Sequence, residues 1–391
     1  MMVSRVALSA SAGVVMLVTM AAGEGRAQIA VSANDGKAVL VNGVNTVPAN
    51  PAPDTVTILD LTPSPIRVLG ELRVPASVIG PPQSAAITPD ESLALVTSAT
   101  KVDPADRTKT TTSDVVTVID LRASPPVAIA TLHAGRGASG VSINRAGTLA
   151  LVANRLDGTV SVFAIQGQRV APVGLVDLGA PDSGPSHVAI TPDGRTALVT
   201  RNNDSLISIL SIDGNTVTYA KRDIAAGYKP YGLEITPAGD LGLVAHIGVG
   251  ATGGVDTIGV IDLRATPIRT IDQIAVGSTL EGIAISPDGR YVAVTVMNGS
   301  NNPPGSPLFN DFGRLRVLTI ANRTVTPAAE TRIGHWCQGV TWTRDSRRLV
   351  VQCMVERQLQ VFAFDGKTLT AGTPITLAVS PAGIRIADRR P

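Results

Sequence analysis

The stretch EGIAISPDGRYVAVTV, residues Glu281 to Val296, decides how the rest of the chain is read. Small and apolar residues alternate up to Ser286, a Pro-Asp-Gly turn comes next, and a second apolar run, Tyr291 onward, leaves the turn. Pro presets φ at the second turn position, Asp caps, and Gly takes the left-handed conformation, so the phrase reads as strand, tight turn, strand. The same phrase recurs as QIAVSANDGKAVLVNG from Gln28, SAAITPDESLALVTS from Ser84, SGVSINRAGTLALVAN from Ser139 and SHVAITPDGRTALVTR from Ser186. YGLEITPAGDLGLVAH from Tyr231 and QGVTWTRDSRRLVVQC from Gln338 complete seven copies.

A third apolar run comes after every copy: VTILDL, VVTVIDL, TVSVFAI, LISILSI, IGVIDL, RLRVLTI and LQVFAF. A looser fourth segment precedes the next copy. Four short antiparallel strands repeated every 45 to 57 residues build propeller blades, whose inner strands pack blade on blade. The expectation is an all-β, seven-bladed β-propeller of four-stranded antiparallel blades. The segment from Ala382 to Asp388 reads as one more first strand, so the ring is expected to close by joining the two termini in one blade; which terminus supplies which strand stays open. The composition agrees, with 38 Gly, 27 Pro and only 3% aromatic residues, which favours many short strands and turns over amphipathic helices.

Residues 1 to 27 have the order of a bacterial export signal: Arg5, an apolar stretch over 6 to 22, then Gly25-Arg26-Ala27 before Gln28. The expected organisation is a signal peptide over 1–27 and a single propeller domain over 28–391, located in the periplasm or secreted. No later segment offers the roughly 20 apolar residues of a membrane span. The formal charge of +2 falls to about +1 without the leader, and no Lys/Arg run is present, so nucleic acid is not an expected partner.

The repeats resemble the YVTN-type propellers of bacterial envelopes and archaeal surfaces, whose repeats read P-x-G-x-x-x-S-P-D-G-x-x-x-Y-V-x-N and end in V-x-V-I-D. The copy from Glu281 carries that resemblance best, and it extends over nearly the whole chain after the leader. Residues 184 to 195, GPSHVAITPDGR, are also similar to the P-x-H-x-x-x-S-P-D-G phrase of lactonase-type propellers. That resemblance implies a His, an Arg and a Glu at the channel mouth that open a cyclic ester, and His187, Arg201 and Glu281 are the residues that fill those roles here. Opening the ring needs a base for water and a cation for the oxyanion.

Strand alternation sorts the chain onto two faces. The Pro-Asp-Gly turns lie on one. All four histidines and the long insertions, residues 46 to 54, 100 to 114, 247 to 257 and 298 to 313, fall on the other, where binding sites usually sit. First-strand starts are expected to line the channel: Ser84, Ser139, His187, Tyr231, Glu281, Gln338 and Arg385. Second-strand ends add Asn154, Arg155, Arg201, Asn202, His246 and Asn298. The ligand-binding set drawn from these is His187, Tyr231, His246, Glu281, Gln338, Arg155, Arg201, Asn298 and Arg385. His187, His246 and Glu281 match no compact ligand spacing, so no metal is expected, and no cofactor motif is present. Cys337 and Cys353 flank the turn centred on Asp345 and stand opposite each other, which in an exported chain favours a disulfide.

Function is read at three levels. The leading expectation is an exported binding or scaffold protein that recognises a partner protein or an envelope ligand through the long-loop face. The alternatives are a lactonase-like ring-opening hydrolase at the channel mouth and an accessory subunit of a periplasmic redox enzyme.

Overall fold

The computed structural model describes residues 27 to 225, 227 to 250 and 252 to 388; residues 1 to 26 of the expected export signal lie outside them. Seven antiparallel sheets form the ring. Blades 2 to 6 are each four consecutive strands, with innermost strands Ala85–Ile87, Ala138–Ile143, Pro185–Ile190, Pro230–Ile235 and Leu280–Ile285. In blade 7 the innermost strand is Cys337–Trp342, and its outer edge is split between Leu369–Ala371 and Ile375–Thr376. Among the described residues there is no helix.

Blade 1 closes the ring. Ser380–Ile386 is its innermost strand, with Ile29–Asp35, Thr55–Asp60 and Arg67–Arg73 in order outward. The C-terminal part therefore supplies the inner strand and the N-terminal part the other three. This corrects the reading of the first repeat: Asn34-Asp35-Gly36 resembles the other turns, yet Ile29–Asp35 is a second strand, not a first. A separate small hairpin, Val39–Val41 with Val44–Thr46, is inserted between it and the third strand.

The turns work as their residues dictate. The hydroxyls of Thr191, Ser286 and Thr343 each donate to the Asp two residues on at 2.6 Å, and Gly194 and Gly289 take φ of 71° and 73°. Where glycine is missing, Glu91 and Ser346 adopt the same left-handed conformation. Apolar side chains fill the seams between neighbouring blades, for example Leu149, Val160, Val188 and Val199 between blades 3 and 4 and Leu243, Val260, Ile283 and Val294 between blades 5 and 6. Burying each such side chain stabilises by about 1.5–3 kcal/mol. Hydroxyls of the second strands stitch the seams further: Thr200 donates to Tyr231 O at 2.8 Å, and Thr97 and Thr295 donate to Ser139 O and Gln338 O in the next blade.

Candidate functional site

The site lies on the ring axis and is built by one repeated irregularity. In blades 3 to 7 the register slips near the start of the innermost strand, for instance between Ala138 and Val141 and between Leu280 and Ile283. A bulge opposes two residues to one and re-aims side chains. The bulged pairs are Ser139-Gly140, Ser186-His187, Tyr231-Gly232, Glu281-Gly282 and Gln338-Gly339. In blade 2 the equivalent pair is Gln83-Ser84, so Gln83 stands where the sequence reading put Ser84. His187 is the one large side chain in the second place of the pair. Its ring fits because Gly140, beside it, has no Cβ; one there would lie 2.3 Å from His187 Nδ1.

Two polar tiers occupy the axis. The first faces the long loops. Arg155 lies over the Tyr231 ring, 5.8 Å from its centroid, and donates to Ser186 Oγ at 2.5 Å. The Tyr231 phenol accepts from the Gly80 N–H and is held above its usual range, first by burial and then by the Glu281 charge. Burial pushes Glu281 up to about 8, against the opposing pull of Arg155, so this carboxyl is mostly protonated at neutral pH. Tyr231, Glu281 and Gln338 are all buried, and Gln338 has its amide between Trp336 Nε1 and Ala382 O. Arg155 is the half-buried member of the tier.

Below it is a chamber of about 110 Å³ that runs toward the Pro-Asp-Gly turns and is lined by His187, Ser142, Glu234, Thr341, Arg385 and Asp388, among others. Arg385, from the ring-closing strand, is paired with Glu234 of blade 5. Gln83 crosses from blade 2 and donates to Glu234 Oε1 at 3.3 Å. At the exit Arg145 reaches Asp388 at 3.3 Å and Pro237 O at 3.1 Å. Burial and the Arg385 charge hold His187 well below its usual range, so its imidazole is neutral, and Nδ1 has no partner among the described residues. The cavity thus opens toward the turn face and not toward the loop face on which the sequence reading places the site.

The remaining sequence-predicted residues do not meet at the axis. Arg201 points outward into its own blade, where Nη1 donates to Asp223 at 2.9 Å and Nη2 to Asp204. It is not brought to His187 and Glu281; the arginines on the axis are Arg155 and Arg385. His246 is fixed against the third strand, with Nδ1 2.8 Å from Thr257 O, and burial pushes it down to about 4. Asn154 bonds Thr159 and Ser161 in the same way, Asn202 donates to Pro230 O, and Asn298 donates to Phe312 O. Glu234 is the residue the sequence reading missed; strand alternation from Gly232 would have found it.

On the loop face the insertions touch one another: Gly43 lies against Pro303, and Gly253 against Leu308. His335 contacts Glu356 at 2.6 Å and Asp311 at 2.9 Å, and His133 contacts Asp114. Cys337 and Cys353 face each other in the register, with sulfurs at 1.99 Å. Glu356 lies close to them, but joined sulfurs offer no thiolate to a metal.

A family model described as Lactonase, 7-bladed beta-propeller, matches residues 107–229, a span that holds Arg155 and His187. No curated protein matches. Solved structures are similar in fold at low identity. A Bacteroides uniformis "putative 6-phosphogluconolactonase" superposes with TM-score 0.70 at 14% identity, covering 92% of this chain and 99% of that one. The Pseudomonas aeruginosa periplasmic gluconolactonase gives 0.63 at 14%, with 92% and 99% covered, and Kuenenia stuttgartiensis hydrazine synthase 0.59 at 16%, with 80% and 91% covered. Such a range of activities shows the propeller and leaves function to the site.

Proposed function

We propose that the protein is a lactonase-like hydrolase that opens a cyclic ester in the axial chamber. One observation carries the reading: His187, neutral and buried, lines the same axial chamber as Arg385 and Glu234. In the reaction the His187 imidazole accepts a proton from water as the water oxygen attacks the lactone carbonyl carbon. The Arg385 guanidinium steadies the oxyanion, and Glu234 holds that guanidinium in place. When the ring C–O bond breaks, the leaving alkoxide takes the proton back from His187 and a hydroxy acid leaves. The partial match to a lactonase family model and the gluconolactonase among the similar folds support this reading. The test is lactone ring opening, measured by acid release, for the wild type and His187→Ala. The expected result is turnover in the wild type that the variant loses; equal rates above background, or none, would remove the reading.

A second reading, an exported binding protein, is favoured by the loop face. Val41, Val44, Val249, Val255 and Leu308 are 39–66% exposed there, all on insertions, and clustered exposed apolar residues mark docking surfaces. Both readings place the chain in the periplasm or outside the cell, on the strength of its leader-like first 27 residues.

A further inference from the structure

Resting on the hydrolase reading, we infer that the substrate is an uncharged, hydroxyl-rich lactone and that its phosphorylated counterpart is rejected. The charges around the chamber are already matched. Arg385 is paired with Glu234, Arg145 at the exit is paired with Asp388, and His187 is neutral. A phosphate dianion would therefore meet two carboxylates and no uncompensated cation, whereas phosphate sites are built from free Arg or Lys groups or from helix N-termini. The described residues contain no helix to supply the latter.

The polar groups on the chamber wall fit the opposite kind of ligand. Glu234 and Asp388 are acceptors, and Ser142 and Thr341 carry hydroxyls that accept or donate. Such a wall pairs with the O–H groups of a sugar ring. Glu234 then has two roles, positioning Arg385 and cancelling its charge, so it sets the selectivity of the site.

The experiment compares D-glucono-1,5-lactone with its 6-phosphate as substrates of the wild type, Glu234→Gln and Thr341→Val. A parallel arm measures thermal shifts with the unreactive 1,5-anhydroglucitol and its 6-phosphate. The expected results are a kcat/KM at least tenfold higher for the unphosphorylated lactone, a shift with anhydroglucitol alone, and a preference that narrows several-fold in Glu234→Gln as Arg385 loses its counter-charge. Thr341→Val is expected to raise KM for the sugar lactone and leave the charge preference unchanged. Equal or better use of the phosphate ester by a His187-dependent wild type would overturn this inference and leave the hydrolase reading intact. If neither lactone is opened, the hydrolase reading fails, and the binding arm still decides ligand class: a shift with the phosphate, or with neither compound, would overturn the inference.

Discussion

His187 and His246 sit in adjacent blades, each is 1% exposed, and in each burial is the main cause that holds the imidazole neutral. Burial and protonation state do not tell them apart. Their surroundings do. A glycine is packed against each ring, Gly140 on His187 and Gly227 on His246, but His246 Nδ1 is tied to Thr257 of its own blade. His187 lines a cavity and has an arginine for a neighbour. A perturbed histidine thus becomes a site only where a cavity and a second charged group accompany it.

The largest expected effect separates the two directly. His187→Ala should lower kcat/KM for a lactone by about 1000-fold, within the range for loss of a general base, while the melting temperature stays within a few degrees of the wild type. His246→Ala should do the reverse and lose stability with activity per folded molecule kept. Acid titration sharpens the contrast. The unfolded chain binds a proton at His246 below pH 6.5, whereas the folded protein resists until about 4. Stability at that residue is therefore fully present above 6.5 and lost as pH falls toward 4, by on the order of 3 kcal/mol. Chemical denaturation of the wild type and His246→Asn between pH 7 and 4 should show the acid loss smaller by that amount in the variant, with the part due to His187 kept. Reduction of the Cys337–Cys353 bridge should cost about 3 kcal/mol, read as an earlier denaturation midpoint with dithiothreitol, and should leave His187 chemistry unchanged. The smallest effect is expected for Ser186→Ala, which removes the Arg155 contact in the loop-facing tier: a change of less than about threefold in kcat/KM, the scale of one modest hydrogen bond. A loss near that of His187→Ala would move the reaction centre from the chamber to the loop-facing tier.

The ring was legible because most repeats carry their own turn chemistry, as Thr191-Pro192-Asp193-Gly194 does between two strands; the closing blade was not, because Asn34-Asp35-Gly36 resembles those turns and yet ends a second strand. The site was legible only in part, because direction depends on register, and a one-residue shift turns a side chain to the opposite side. Arg155 and Arg201 show this. Aligned repeats put Asn154 opposite Arg201 and Arg155 opposite Asn202. Asn154 and Arg201 therefore face the third strand, and Arg155 and Asn202 reach toward the next blade. Two arginines one place apart ended in different environments, and only one was drawn to the axis. The bulge added a second uncertainty, since it shifts register inside a strand that otherwise looks regular. The pairing of Arg385 with Glu234 joins blade 1 to blade 5 and has no local signal at all.

The closing strand Ser380–Ile386 also sets an order in time. Synthesis delivers the chain from its N-terminal end onward, so the arginine that completes the chamber arrives after the other six blades have been made. Until then Ile29–Asp35 lacks its inner neighbour and offers an open edge to any other strand. Completion of the axial chamber and protection from aggregation are therefore gained in the same event, and a chain cut short before residue 380 forfeits both.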